Sequence, residues 1–120
     1  MDVTLKITEE QAKGSVPITV FHLKGWLDAQ SEDLLLAAAN KAYGTGARYL
    51  LINLAEIDTL TSAGMRALQK VYKIYTPEDE QFKVSRVKLC SAPPQVYHVL
   101  GITGFLQNIP NYESQQDAID

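Results

Sequence analysis

Cysteine is almost missing from this chain of 120 residues: Cys90 stands alone. One thiol can form no internal disulfide and has no second thiolate for a zinc knuckle, which fits a reducing, cytoplasmic setting. Histidine is scarce as well. His22 and His98 are the only two, and neither has a cysteine or a second histidine at ligand spacing, so no metal is expected. Gly44-Thr45-Gly46 follows a helical pattern rather than a strand, so it is no dinucleotide loop and no cofactor is expected. A Gly-x-Ser-x-Gly elbow is absent, and no acid, base and nucleophile form a recognisable set. The chain therefore reads as a non-enzyme. No apolar run approaches the ~20 residues that span a bilayer. The opening MDVTLKITEE is too polar for a signal peptide. Basic residues are not in excess: 11 Lys and Arg face 14 Asp and Glu, for a net charge of −3. With a pI near 5.3, neither nucleic acid nor an anionic membrane is an expected partner.

What remains is an ordinary globular composition, 46% hydrophobic and 21% charged, enough for one domain over residues 1–120 with a buried core. Strands and helices alternate along it. Residues 3–7 read as a short strand and 9–15 as a polar turn. Residues 16–23 are β-branched and aromatic and read as a second strand, followed by a connection over 25–30. Ser31 is placed as the N-cap of a helix to about Tyr43, with Leu34, Leu35, Ala38 and Ala42 on its apolar face. Residues 49–54 are nearly continuous apolar sequence, as in a central strand covered on both faces. The next helix spans 62–75, with Ala67, Leu68, Val71, Ile74 and Tyr75 inward and Arg66, Gln69, Lys70 and Lys73 outward. An acidic loop follows over 76–81, then a strand over 84–89. Pro93 opens a third helix. A glycine-marked turn lies at 102–105, a short strand at 109–112, and Ser114 caps a last helix to Ile119. This alternation predicts an α/β sandwich: a four- or five-stranded mixed sheet with the helices mainly on one face.

Residues 48–68 are the most informative stretch. A buried strand leads through a short loop, 58–64, into a helix that begins at Ser62. Thr61, Ser62, Ala63 and Gly64 stand at the entrance, where backbone N–H groups point outward and the helix dipole favours negative charge. Two readings follow. Ser62 is an N-cap worth about 1 kcal/mol, or it is a hydroxyl on which a phosphate would be well accommodated. Met65, directly after Gly64, is expected to be partly exposed. The loop 25–31, the loop 58–64 and the outer face of the second helix are expected to form one partner-binding patch. Asp28 is read either as part of that patch or as a carboxylate closing the turn before Ser31. Trp26 is read as a core-rim or partner-facing aromatic.

Three motifs, in this order and spacing, resemble the STAS domain, the fold of bacterial anti-sigma-factor antagonists and of the cytoplasmic tails of sulfate transporters. Gly25-Trp26-Leu27-Asp28 is similar to that family's Gly-x-Leu-Asp. Residues 51–64 resemble its apolar strand and Asp-Ser-Ser/Thr-Gly helix start. Residues 91–105, with Pro93, Val96, Leu100 and Gly104-Phe105, resemble its closing segment. The resemblance implies that Ser62 falls on the serine phosphorylated by a cognate kinase and Asp28 on a nearby loop aspartate. It implies an anti-sigma factor, itself a serine kinase, as partner, with a phosphatase reversing the modification. Asp28, Thr61, Ser62, Gly64, Met65, Arg66 and Lys70 are the expected partner-binding residues. Three positions depart from the pattern: Thr61 replaces the family aspartate, Ala63 the following hydroxyl residue, and Arg66 a glycine-like position. The function expected is a phosphorylation-switched regulator. The alternative is a constitutive interaction or scaffold module, stressosome-like or accessory to a transporter. Either is compatible with a homodimer and with no membrane insertion of its own.

Overall fold

The computed structural model describes residues 5–14, 16–76, 86–102, 109 and 111–119. The elements in order are β1 (Lys6–Lys13), β2 (Pro17–Leu27), α1 (Glu32–Gly44), β3 (Leu50–Leu60), α2 (Ser62–Tyr75), β4 (Val87–Cys90), α3 (Pro94–Ile102), β5 (Asn111–Tyr112) and α4 (Gln115–Ile119). Five strands form one sheet in the order β1-β2-β3-β4-β5. β1 and β2 are antiparallel; the other neighbouring pairs are parallel. The expected mixed α/β sheet is thus present.

This order explains where the helices lie. Each parallel crossover steps to the next strand in the same direction, and right-handed crossovers that all step one way stack their helices on one face. Alternate residues of the strands sort accordingly. Phe21, Leu23, Leu50, Ile52, Leu54, Val87 and Leu89 join one buried cluster with Leu35, Ala39, Leu68, Val71, Val96 and Leu100 from α1, α2 and α3. Ile18, Val20, Leu51 and Cys90 point the other way and are covered by Ala118 of α4. Ser114 caps α4 as expected, accepting from the Asp117 N–H at 3.1 Å. Burial pushes the Cys90 thiol up, away from thiolate formation. Tyr75 is buried between the first two helices. Its hydroxyl donates to the Ala39 carbonyl at 2.9 Å, and burial pushes its pKa up to about 12.

Several boundaries differ from the sequence reading. β1 continues to Lys13 through the segment expected to be a turn, pairing residue for residue with β2 from Lys6↔Lys24 to Lys13↔Pro17. It is an edge strand, so its polar side chains can stay in water and the apolar alternation that marks strands is lost. β2 runs on to Leu27 through the expected connection, and β3 to Leu60. Both carry irregular register at their far ends, between His22 and Lys24 and between Gly25 and Trp26. Gly25 adopts φ 109° there, a conformation that favours glycine. Leu34 is 48% exposed, and Leu35, Ala39 and Ala42 form the buried stripe of α1 instead. Pro94 opens α3, with Pro93 just before it accepting the first helical bond from Tyr97. The acidic loop at 77–81, residues 84–85 and the Gly104-Phe105 pair lie outside the described residues.

Candidate functional site

The candidate site begins where β2 and β3 end side by side. Leu27 pairs with Leu60, and the Thr61 N–H donates to the Leu27 carbonyl at 3.2 Å. Only Thr61 separates β3 from α2, so the expected 58–64 loop shrinks to one residue. Thr61 has extended backbone, φ −103° and ψ 173°. Its Oγ1 accepts from the Gly64 N–H at 3.2 Å, and its carbonyl accepts from Met65 N–H at 2.9 Å. Thr61 is therefore the N-cap, and Ser62 is not: it occupies the first helical position, exposed. The strand end decides this. Leu60 is still paired, so the first residue free to turn is Thr61.

Gly64 is fixed by proximity. A Cβ at this position would stand 2.1 Å from the Leu27 carbonyl oxygen and 2.9 Å from Leu60 Cδ1. The bare glycine backbone lets the first turn of α2 close against the end of β2. That close seat turns the next residue inward. Met65 is 9% exposed and belongs to the main core, which corrects the expected partly exposed Met65. The spacing carries a signal that could have found this, since Met65 lies three residues before the buried Leu68, on the same helical stripe.

Asp28 and Ser31 close the neighbouring loop. Asp28 Oδ1 accepts from the backbone N–H groups of Gln30 at 3.0 Å and Ser31 at 3.2 Å. The Ser31 hydroxyl, on a residue only 6% exposed, accepts from the Asp28 N–H at 2.9 Å and lies 2.9 Å from the Trp26 carbonyl, to which it can donate. Ser31 does hold the N-cap position of α1, but its side chain makes no bond to the helix. It faces back into the loop. Asp28 thus has the turn-closing geometry of its plainer reading, while lying one residue beyond the Leu27 carbonyl that receives Thr61.

The outer face of α2 is as expected. Arg66, Gln69, Lys70 and Lys73 are exposed. Lys70 forms an ion pair with Glu32 in the first turn of α1, a contact across 38 positions that no local pattern foretold. On the other side of the sheet end, Trp26 is 37% exposed and pairs in register with Thr59. The structure thus brings Asp28, Thr61, Ser62, Arg66 and Lys70 to one end of the molecule, leaves Gly64 at that end but buried against β2, and withdraws Met65 into the core. Chemically this end offers one exposed hydroxyl, a basic helix face and a carboxylate tied into its own loop.

The family model of the STAS domain matches residues 9–118. The chain belongs to the STAS domain family. No curated protein matches it in sequence. Among solved structures it is similar to an anti-sigma factor antagonist from Mycobacterium paratuberculosis, at 20% identity over 96% of this chain and 91% of that one, with a TM-score of 0.79. It is similar to the phosphorylated form of the Bacillus cell fate determinant SpoIIAA, at 17% identity over 96% and 97%, with a TM-score of 0.67. It is also similar to part of the murine Solute Carrier 26 family member A9 anion transporter, at 14% identity over 98% of this chain and 22% of that one, TM-score 0.68. At such identities the likeness shows the STAS fold. No helix among the described residues is long and apolar enough to cross a membrane.

Proposed function

We propose that this STAS domain is a non-enzymatic, cytoplasmic partner-switching regulator. It binds an anti-sigma factor that is itself a serine kinase, and phosphorylation of Ser62 switches the binding. The observation that carries the reading is the state of two adjacent hydroxyls. Thr61 Oγ1 is held by the Gly64 N–H. Ser62 is exposed, and its hydroxyl has no hydrogen bond among the described residues. Ser62 is therefore the acceptor a kinase can reach. Transfer of the γ-phosphoryl group from ATP to Ser62 Oγ releases ADP and the hydroxyl proton, and a phosphatase restores the hydroxyl by hydrolysing the ester with water, which releases inorganic phosphate. The added charge of about −1.5 to −2 sits well at the N-terminus of α2 and opposes an acidic or apolar partner surface. Partner contacts are assigned to Asp28, Thr61, Ser62, Arg66 and Lys70, with the buried Gly64 seating the first turn of α2 against β2.

A second reading is favoured by Thr61, which leaves no carboxylate directly before Ser62. It is a constitutive interaction or scaffold module, stressosome-like or accessory to a transporter, and the fold likeness to an anion transporter supports it. Titration with a purified anti-sigma-factor serine kinase separates the two. The switch predicts that Ser62→Asp and Lys70→Glu each weaken binding about tenfold or more, a change of ~1.4 kcal/mol, while Ser62→Ala binds like wild type. If Lys70→Glu weakens binding and Ser62→Asp does not, the constitutive module is correct. Unchanged affinity in every variant overturns both.

A further inference from the structure

We infer that Arg66 is the internal receiver of a phosphate on Ser62. The inference rests on the phospho-switch reading above and concerns how this particular chain executes it. Ser62 and Arg66 are four residues apart in α2, so they lie one above the other on the same helix face, with Cβ atoms about 6 Å apart. Both are exposed. An anion four residues before a cation is also the favourable order along a helix.

Arg66 is the cation in a position to respond. Among the described residues it makes no ion pair or other polar contact. Lys70 is one turn further away and is engaged with Glu32. Lys73 sits in the last turn of the helix. The residue before Ser62 is the uncharged Thr61. Of the carboxylates near this end, Asp28 is committed through Oδ1 to its own loop, Glu32 is paired with Lys70, and Asp58 lies exposed on β3 without an ion pair to Arg66. The helix adds to the cradle. Thr61 already takes the N–H groups of Gly64 and Met65, which leaves those of Ser62 and Ala63 as the unpaired first-turn donors beside the phosphate. A guanidinium can grip phosphate oxygens in a two-pronged geometry that a lysine cannot match.

This arrangement changes what a partner meets. In the unmodified protein Arg66, unpaired among the described residues, stands beside Lys70 and Lys73 as part of a basic docking face. In the phosphorylated protein Arg66 folds back onto the phosphate. Phosphorylation therefore removes a cation from the docking face as well as adding an anion, and the partner surface that senses this is acidic.

The test needs no kinase. Phosphoserine is placed at position 62 by genetic encoding, in the wild-type chain and in Arg66→Gln and Arg66→Lys, and the second ionisation of the phosphate is followed by phosphorus NMR. A nearby cation favours the doubly charged phosphate. The wild-type midpoint is expected to lie about half a pH unit or more below that of Arg66→Gln, with Arg66→Lys in between. The melting temperature should rise on phosphorylation in wild type and rise less in Arg66→Gln. Arg66 is exposed, so these variants keep the fold, which circular dichroism checks. Coincident titration midpoints in wild type and Arg66→Gln overturn the inference. Failure of the underlying switch would appear elsewhere, as absence of phosphate on Ser62 after kinase treatment, whatever the titration shows.

Discussion

The two helix entrances of this molecule use the same residue type for opposite ends. α1 and α2 both begin just beyond the ends of adjacent parallel strands, and each entrance carries a serine. Ser31 is buried, and its hydroxyl is spent inside the 28–31 loop on the Asp28 N–H and the Trp26 carbonyl. Ser62 is exposed, because Thr61 has already supplied the cap bond to Gly64. The difference teaches that a hydroxyl at a helix start is available for chemistry only where neither the helix nor the loop before it claims its hydrogen bonds: the loop claims that of Ser31, and the helix does not need that of Ser62. At α2 a neighbouring threonine caps the helix instead.

Substitutions can break this comparison, starting with the largest effect. Gly64→Ala places a methyl group 2.1 Å from the Leu27 carbonyl oxygen. Backbone must move to admit it, at an expected cost of about 3 kcal/mol, visible as a lower urea midpoint. A wild-type midpoint would mean that α2 is not seated on β2 as described. Next, Ser31→Ala removes a buried hydroxyl and leaves the Asp28 N–H and the Trp26 carbonyl without it. A loss of about 2 kcal/mol is expected, measured in the same way.

The sharpest contrast is between neighbours. Thr61→Ala removes the cap and should cost about 1 kcal/mol. Ser62→Ala removes an exposed hydroxyl and should change stability by less than about 0.5 kcal/mol. Thermal melts of the two variants side by side check the order. If Ser62→Ala is the more destabilising, Ser62 is the cap after all and is not free for modification.

Much of this was legible in the sequence, and the exceptions have physical causes. α2 was found from Ser62 to Tyr75 because its stripe of Ala67, Leu68, Val71 and Tyr75 recurs at helical spacing. β3 was found from its apolar run, though not its extension to Leu60, where exposed Glu56 and Asp58 interrupt the pattern. β1 was read only at its start, in the strand over 3–7, and its continuation to Lys13 was hidden because an edge strand needs no apolar face. Leu34 and Leu35 offer two equally apolar rotations of α1, and contact with α2, including the Tyr75 bond to Ala39, decides between them. At the candidate site, the residues that share one end of the sheet were readable from the motifs. The cap was not, since Thr61 and Ser62 are both good capping residues and only the pairing of Leu60 tells which comes first. The Lys70–Glu32 ion pair is tertiary and left no local trace.

The measurement that tests the account most directly is phosphosite mapping. The protein is incubated with ATP and a purified anti-sigma-factor serine kinase, and the modified residue is located by mass spectrometry, with an established family member treated in parallel. The account predicts phosphate on Ser62 and on no other residue of the α2 entrance. Phosphate on Thr59 or Thr61, or none while the parallel protein is modified, would contradict it and leave the constitutive module as the better description of this STAS domain.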